Sequence, residues 1–183
     1  MNSLALFTDV SLNPQLRLGI GGYLLLPLSL LAGKPHAIVQ SELTARLQIR
    51  RFTETSSTKL ELQTLLWALE NSRQEINASA PGSLQIYTDS QCVAGLPGRR
   101  AGLINSDFVA KRSGRPLANA VLYRAFYEAH DQLGFQLHKV AGHSPAGSHD
   151  TVRRIFAHVD REVRKALGLW LAINPRPELP DGN

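Results

Sequence analysis

The chain has 183 residues, enough for one domain with a full hydrophobic core and no covalent staples. Hydrophobic residues make up 43% and charged residues 19%, which excludes a disordered or low-complexity protein. The 20 Lys and Arg outnumber 15 Asp and Glu, a formal +5 with a pI near 9.7, and this favours an anionic partner such as nucleic acid. One cysteine, Cys92, cannot build a disulfide framework. The longest apolar run, Tyr23 to Ala32, is broken by Pro27 and is too short to cross a bilayer, and Met1-Asn2-Ser3 lacks the basic start of a signal peptide. The expectation is a cytoplasmic domain, monomeric, with no membrane partner.

Leu4 to Thr8 is an apolar run closed by Asp9 and then by Asn13-Pro14, which predicts a buried strand entering a turn. A second strand is expected over Gly19 to Leu26, where Gly19, Gly21 and Gly22 permit close backbone approach. Past Gly33-Lys34-Pro35, the stretch from Ala37 to Phe52 reads as further strand, with Leu43, Ala45, Leu47 and Ile49 in partial alternation. These strands should pair antiparallel. The period then changes from 2 to 3.6. Leu62, Leu65, Leu66 and Leu69 line one face of a helix over Thr58 to Ser72.

Ala80-Pro81-Gly82 turns the chain into a buried strand, Leu84 to Thr88, closed by Asp89. A short helix is expected next, then a Gly-rich basic loop between Leu96 and Pro116. This loop carries Arg99, Arg100, Lys111, Arg112 and Arg115 against Asp107 alone. A helix over Leu117 to Leu133, a strand over Phe135 to Val140, a loop over Gly142 to Gly147 and a long helix from Ser148 to Leu167 complete the domain. Residues 1–170 form that domain, and residues 171–183, with Pro175, Pro177 and Pro180, form a flexible tail. The order of elements predicts an α/β fold, a mixed sheet covered by helices.

The informative echo is Phe7-Thr8-Asp9 against Tyr87-Thr88-Asp89. If the two strands are neighbours, their terminal carboxylates converge and repel, and a cation is expected between them. An oxygen-only donor set favours Mg²⁺ or Mn²⁺ over zinc. Each aspartate taken alone reads more readily as a cap. Glu61 has two readings as well, because Thr58-Lys59-Leu60-Glu61 has the spacing of a capping box while Glu61 also borders the buried face. His36, His130, His138, His149 and His158 lack metal-ligand spacing and read as structural or surface residues.

Thr8-Asp9-Val10-Ser11, Gly19-Ile20-Gly21-Gly22-Tyr23, Thr58-Lys59-Leu60-Glu61-Leu62, Tyr87-Thr88-Asp89-Ser90 and Lys139-Val140-Ala141-Gly142-His143 occur in that order. The set resembles the type 1 ribonuclease H family over residues from about Leu4 to Leu167. The resemblance implies an α/β, ribonuclease H-like mixed five-stranded sheet, three antiparallel strands and then parallel strands, flanked by helices. It implies a metal-dependent endonuclease that cuts the RNA strand of RNA–DNA hybrids by a two-metal-ion mechanism, leaving 5′-phosphate and 3′-hydroxyl ends. The cofactor would be Mg²⁺ or Mn²⁺, two ions with substrate bound.

Carried over by residue, Asp9, Glu61 and Asp89 resemble the first three metal-binding acids, Asp160 the fourth, and His143 the loop histidine that assists proton transfer or product release. Asp150 competes with Asp160. It lies nearer to His143, but in the first turn of the last helix, where the dipole favours an acid without any catalytic reason. Asp160 borders the stripe of Val152, Ile155, Phe156, Val159 and Val163. Ser11, Thr58, Arg99, Arg100, Lys111, Arg112 and Arg115 are the candidate contacts to phosphates and 2′-hydroxyls. Val10 stands where the family usually has glycine, and Ser57 and Thr58 where asparagines are common. The alternative is therefore a ribonuclease H-like binding module with lost or altered cleavage, or a nuclease of the same superfamily acting on DNA or structured RNA.

Overall fold

A computed structural model describes residues 3–33, 39–141 and 150–173 of the protein. Strand β1 (Leu4–Asn13) is apolar on both sides. Leu6 packs with Leu62, Leu65 and Phe126, while Ala5 and Phe7 pack with Ile155, Val159 and Val163. A strand buried on both faces belongs in the middle of a sheet. β1 does so in a five-stranded sheet, where β2 (Leu18–Pro27) pairs antiparallel to it and β3 (Gln48–Phe52) antiparallel to β2. On its other side β4 (Leu84–Thr88) runs parallel to β1, and β5 (Gln136–Lys139) parallel to β4. The ribonuclease H-like sheet expected from sequence is the one observed.

Helices α2 (Ser57–Asn71), α4 (Gln91–Asn105) and α5 (Ala120–Leu133) cover one face, and α6 (Thr151–Ile173) with the short α1 (Gln40–Arg46) covers the other. A five-residue helix, α3 (Arg73–Asn77), follows α2. Among the described residues no helix is long and apolar enough to cross a membrane. The ladder between β1 and β4 ends at Phe7 and Tyr87, whereas β1 continues to Asn13. The two strands part where the sheet changes from antiparallel to parallel pairing, the place where open α/β sheets bind ligands.

The structure departs from the sequence reading in three places. The expected strand over Ala37 to Phe52 is helix α1 followed by the shorter β3, with residues 34–38 outside the described residues. Its partial alternation marks no common face, since Leu43 is buried against the α6 side while Ile49 is exposed. The expected basic loop is helical as far as Asn105, although Gly95, Pro97, Gly98 and Gly102 all disfavour a helix. Burial of Val93, Leu96 and Leu103, together with Tyr127 donating its hydroxyl to the Leu96 carbonyl at 2.6 Å, outweighs local propensity. Finally, α6 continues to Ile173, into the segment expected to be tail.

Two glycines of β2 set how closely the helices approach. A Cβ on Gly21 would collide with the Thr64 side chain of α2, and one on Gly22 would meet Val163 Cγ1 of α6 at 2.5 Å. Gly22 is the register partner of Asp9, so its bare backbone lets α6 close over that carboxylate. Gly22→Ala should destabilise the protein by roughly 1–3 kcal/mol through overpacking, seen as a lowered melting temperature. Adding Val163→Ala should recover part of the loss. An unchanged melting temperature in the single variant would show that α6 does not press on β2 there.

Candidate active site

Asp9 shares the strand face of Ala5 and Phe7 and points to the α6 side, only 7% exposed. Its Oδ2 is buried without a hydrogen-bond partner among the described residues. Such an oxygen costs free energy unless something compensates it. Around it stand other acids. Burial first, then the charge of Asp89, then the charge and side-chain hydrogen bond of Asp160 push the Asp9 carboxyl up to about 8, against a lowering by the Val10 backbone. Without metal, burial and the neighbouring acids all disfavour the charged form of Asp9.

Glu61 reaches the cleft from the other helical layer. Its helix starts at Ser57 after Ser56, which makes no side-chain cap bond, and the capping box of Thr58 and Glu61 does not form. Glu61 Oε2 instead accepts a short hydrogen bond from Ser90 Oγ. Burial raises the Glu61 carboxyl, the Ser90 hydroxyl lowers it, the Asp89 charge raises it and the Ser57 hydroxyl lowers it. Asp89 itself is exposed at the end of β4. The turn behind it is fixed by Ser90, whose N–H donates to Thr88 Oγ1 and whose Oγ caps α4 by accepting from Val93 N, both at 3.1 Å. Thr8, Asp9, Val10, Glu61, Thr88 and Asp89 line one small cleft.

The two candidate fourth acids separate by their contacts. Asp150 Oδ1 accepts from Val152 N at 3.0 Å, the bond of a helix cap, and its charge adds to burial in raising the Tyr87 phenol. Asp160 is half-buried on α6, touches Asp9 and pairs with Arg164 Nε at 2.8 Å. His143 lies outside the described residues. Among the described residues no three carboxylate, imidazole or thiol groups stand in coordinating geometry. Glu61, still lining the cleft, accepts from Ser90, and Asp160 pairs with Arg164. The residues nevertheless fit a hard divalent cation. They offer only carboxylate oxygens, and the donorless Asp9 Oδ2 is the atom such an ion would compensate.

The expected phosphate contacts are less uniform than the sequence implied. Ser11 and Thr58 are half-buried, Ser11 on β1 beyond Asp9 and Thr58 in the first turn of α2. Arg99 lies over the Tyr123 ring at 5.6 Å. Arg100 is engaged in a two-pronged pair with Asp131 at 2.6 and 2.7 Å, which holds the Asp131 carboxyl below its usual range. Lys111, Arg112 and Arg115 are exposed on the segment that the Val109–Pro116 bridge closes. Sequence reasoning missed the contacts of Ser90 and Arg164. A serine directly after a strand-end acid was the available signal for the first, and the i, i+4 spacing from Asp160 for the second.

Comparison with known proteins returns a family model, RNase H, over residues 1–153. Asp160 lies beyond that match, so its place beside Asp9 rests on how α6 packs. No curated protein matches the chain. Among solved structures, a foamy viral protease-reverse transcriptase in complex with dsDNA is 13% identical with a TM-score of 0.57, covering 88% of this chain and 96% of that one. The foamy viral protease-reverse transcriptase in complex with RNA/DNA hybrid is 13% identical with a TM-score of 0.58, covering 90% of this chain but 20% of that one. At that identity the likeness concerns the fold.

Proposed function

Since the chain belongs to the ribonuclease H family, we propose that it is a metal-dependent endonuclease hydrolysing the RNA strand of RNA–DNA hybrids. The observation that carries this reading is the buried Asp9 carboxylate, its Oδ2 without a donor among the described residues, beside Asp89, Glu61 and Asp160 at the sheet's switch point. The hybrid bound to the second foamy viral structure agrees with it. Asp9, Glu61, Asp89 and Asp160 would hold two Mg²⁺ or Mn²⁺ ions. Bound there, the ions supply an activated water on one side of the phosphodiester and charge neutralisation at the leaving oxygen on the other. Water attack with a 3′-oxygen leaving group gives 5′-phosphate and 3′-hydroxyl ends, and His143 would assist proton transfer or product release. Ser11 and Thr58 would read 2′-hydroxyls across the wide, shallow groove of an A-like duplex.

The test is incubation of labelled hybrid, RNA duplex and DNA duplex, each with Mg²⁺ and with EDTA. Mg²⁺-dependent cleavage confined to the RNA of the hybrid is expected. A 2′,3′-cyclic phosphate product, or full activity in EDTA, would sink the mechanism. Hybrid binding without cleavage would instead favour the binding-module reading, whose support is the Val10 side chain lining the cleft where the family usually has glycine.

Substrate grip should divide among the basic residues by their contacts. Replacing Lys111, Arg112 and Arg115 by Ala should weaken hybrid binding, and each lost phosphate contact should reduce the salt slope by about 0.9. Arg100→Ala removes the pair with Asp131 and should loosen α4 against α5 while leaving the slope nearly unchanged. Titrations of inactive Asp89→Asn protein over a range of salt measure both. Equal slopes in the triple variant and the parent would show that the segment makes no phosphate contact.

A further inference from the structure

Ser90 is buried, 4% exposed, and its single hydroxyl makes two bonds at once. Its oxygen accepts from Val93 N at 3.1 Å as the cap of α4, which leaves the hydroxyl proton free to point elsewhere, and that proton goes to Glu61 Oε2. Its backbone N–H, held by Thr88 Oγ1 at 3.1 Å, fixes the chain immediately after Asp89. One residue therefore ties together the end of β4, the start of α4 and a carboxylate that arrives from α2. Glu61 needs such a tie. Its side chain is long, half-buried, and loses the most rotamer freedom of any of the four acids when it is fixed.

We infer that Ser90 is a positioning residue that holds the Glu61 carboxylate at the cleft before metal arrives, so that the cost of ordering that carboxylate is met on folding. The inference rests on the proposed role of Glu61 as a metal ligand. Ser57, one turn before Glu61 on α2, gives the same carboxylate a second hydroxyl and has the lesser share, since it does not also fix the Asp89 turn. A ligand oriented by a hydrogen bond of this kind is a common support of metal sites, and its loss costs roughly 10–100-fold in metal affinity.

Ser90 is also a helix cap, and two variants separate the two roles. Glycine is nearly as good an N-cap as serine whereas alanine is a poor one, yet both lack the hydroxyl. Ser90→Gly and Ser90→Ala should therefore differ in melting temperature but share one metal defect. In calorimetric titration of the substrate-free protein, the Mg²⁺ or Mn²⁺ concentration for half-saturation should rise about tenfold in both. In cleavage assays KM for hybrid should stay unchanged, and kcat should return towards the parent value as Mg²⁺ is raised. Ser90→Gly added to Glu61→Gln should weaken metal binding no further, because the carboxylate it served is gone.

Unchanged metal affinity in both Ser90 variants, beside a clear loss in Glu61→Gln, overturns the inference and leaves Ser90 as a cap alone. Metal affinity that falls only in Ser90→Ala, in step with its melting temperature, overturns it as well. If Glu61→Gln binds metal as the parent does, the assignment of Glu61 as a ligand falls first, and the inference with it.

Discussion

Asp9→Asn is expected to cut Mg²⁺-dependent hybrid cleavage by more than about a hundredfold and, without metal, to stabilise the fold at neutral pH. The loss follows from the proposed role of Asp9 as a ligand, since even residues one step behind a metal ligand cost roughly 10–100-fold. The gain follows from linkage. The Asp9 carboxyl has an ordinary value of 3.8 and is pushed up to about 8 in the metal-free fold, first by burial and then by Asp89 and Asp160. The folded state thus binds the proton more tightly than the unfolded state does. Its contribution is fully present below 3.8 and is lost as pH climbs towards about 8. Asparagine carries no charge and has no such slope. Denaturation in EDTA across that range should show wild-type stability falling relative to Asp9→Asn, with Mg²⁺ restoring the wild type only. Parallel stability profiles for the two proteins would mean that Asp9 is not buried among the other acids.

Asp160→Asn should likewise reduce Mg²⁺-dependent cleavage by more than about a hundredfold, while Asp150→Asn costs little. The asymmetry comes from what each carboxylate touches. Asp150 caps α6 through Val152 N, and asparagine is as good a cap as aspartate. The lost charge at the helix start is worth only about 0.3–1 kcal/mol. Asp160 lies against Asp9, so its loss removes an acid from the cluster itself. The Arg164 pair at 2.8 Å is partly exposed and adds little stability. Cleavage by purified, folded variants measures the ranking. The reverse order would show that the last helix presents a different residue to the site.

Sequence alone determined the strands and helices that carry the acids. β1 and β4 announce themselves as short apolar runs that end in Asp9 and Asp89, and α2 by leucines at helical spacing. Those signals are local. A period of 2 or 3.6 is written in consecutive side chains and survives whatever the rest of the chain does. Tertiary structure alone decided the remainder. Helix α4 runs through three glycines and Pro97 because Leu96 and Leu103 find a core to fill, and no local preference records that. Thr58 and Glu61 have capping-box spacing, yet Glu61 binds a hydroxyl 29 residues away because the sheet brings β4 beside β1. Arg100 reads as one of five equivalent cations and is taken by Asp131 across two helices. The burial that makes Asp9 a chemical site comes from α6 closing over β2 at Gly22, a contact between residues far apart in the chain. Local periodicity places the elements on which the acids sit, and only packing between distant segments buries Asp9 and sets its neighbours.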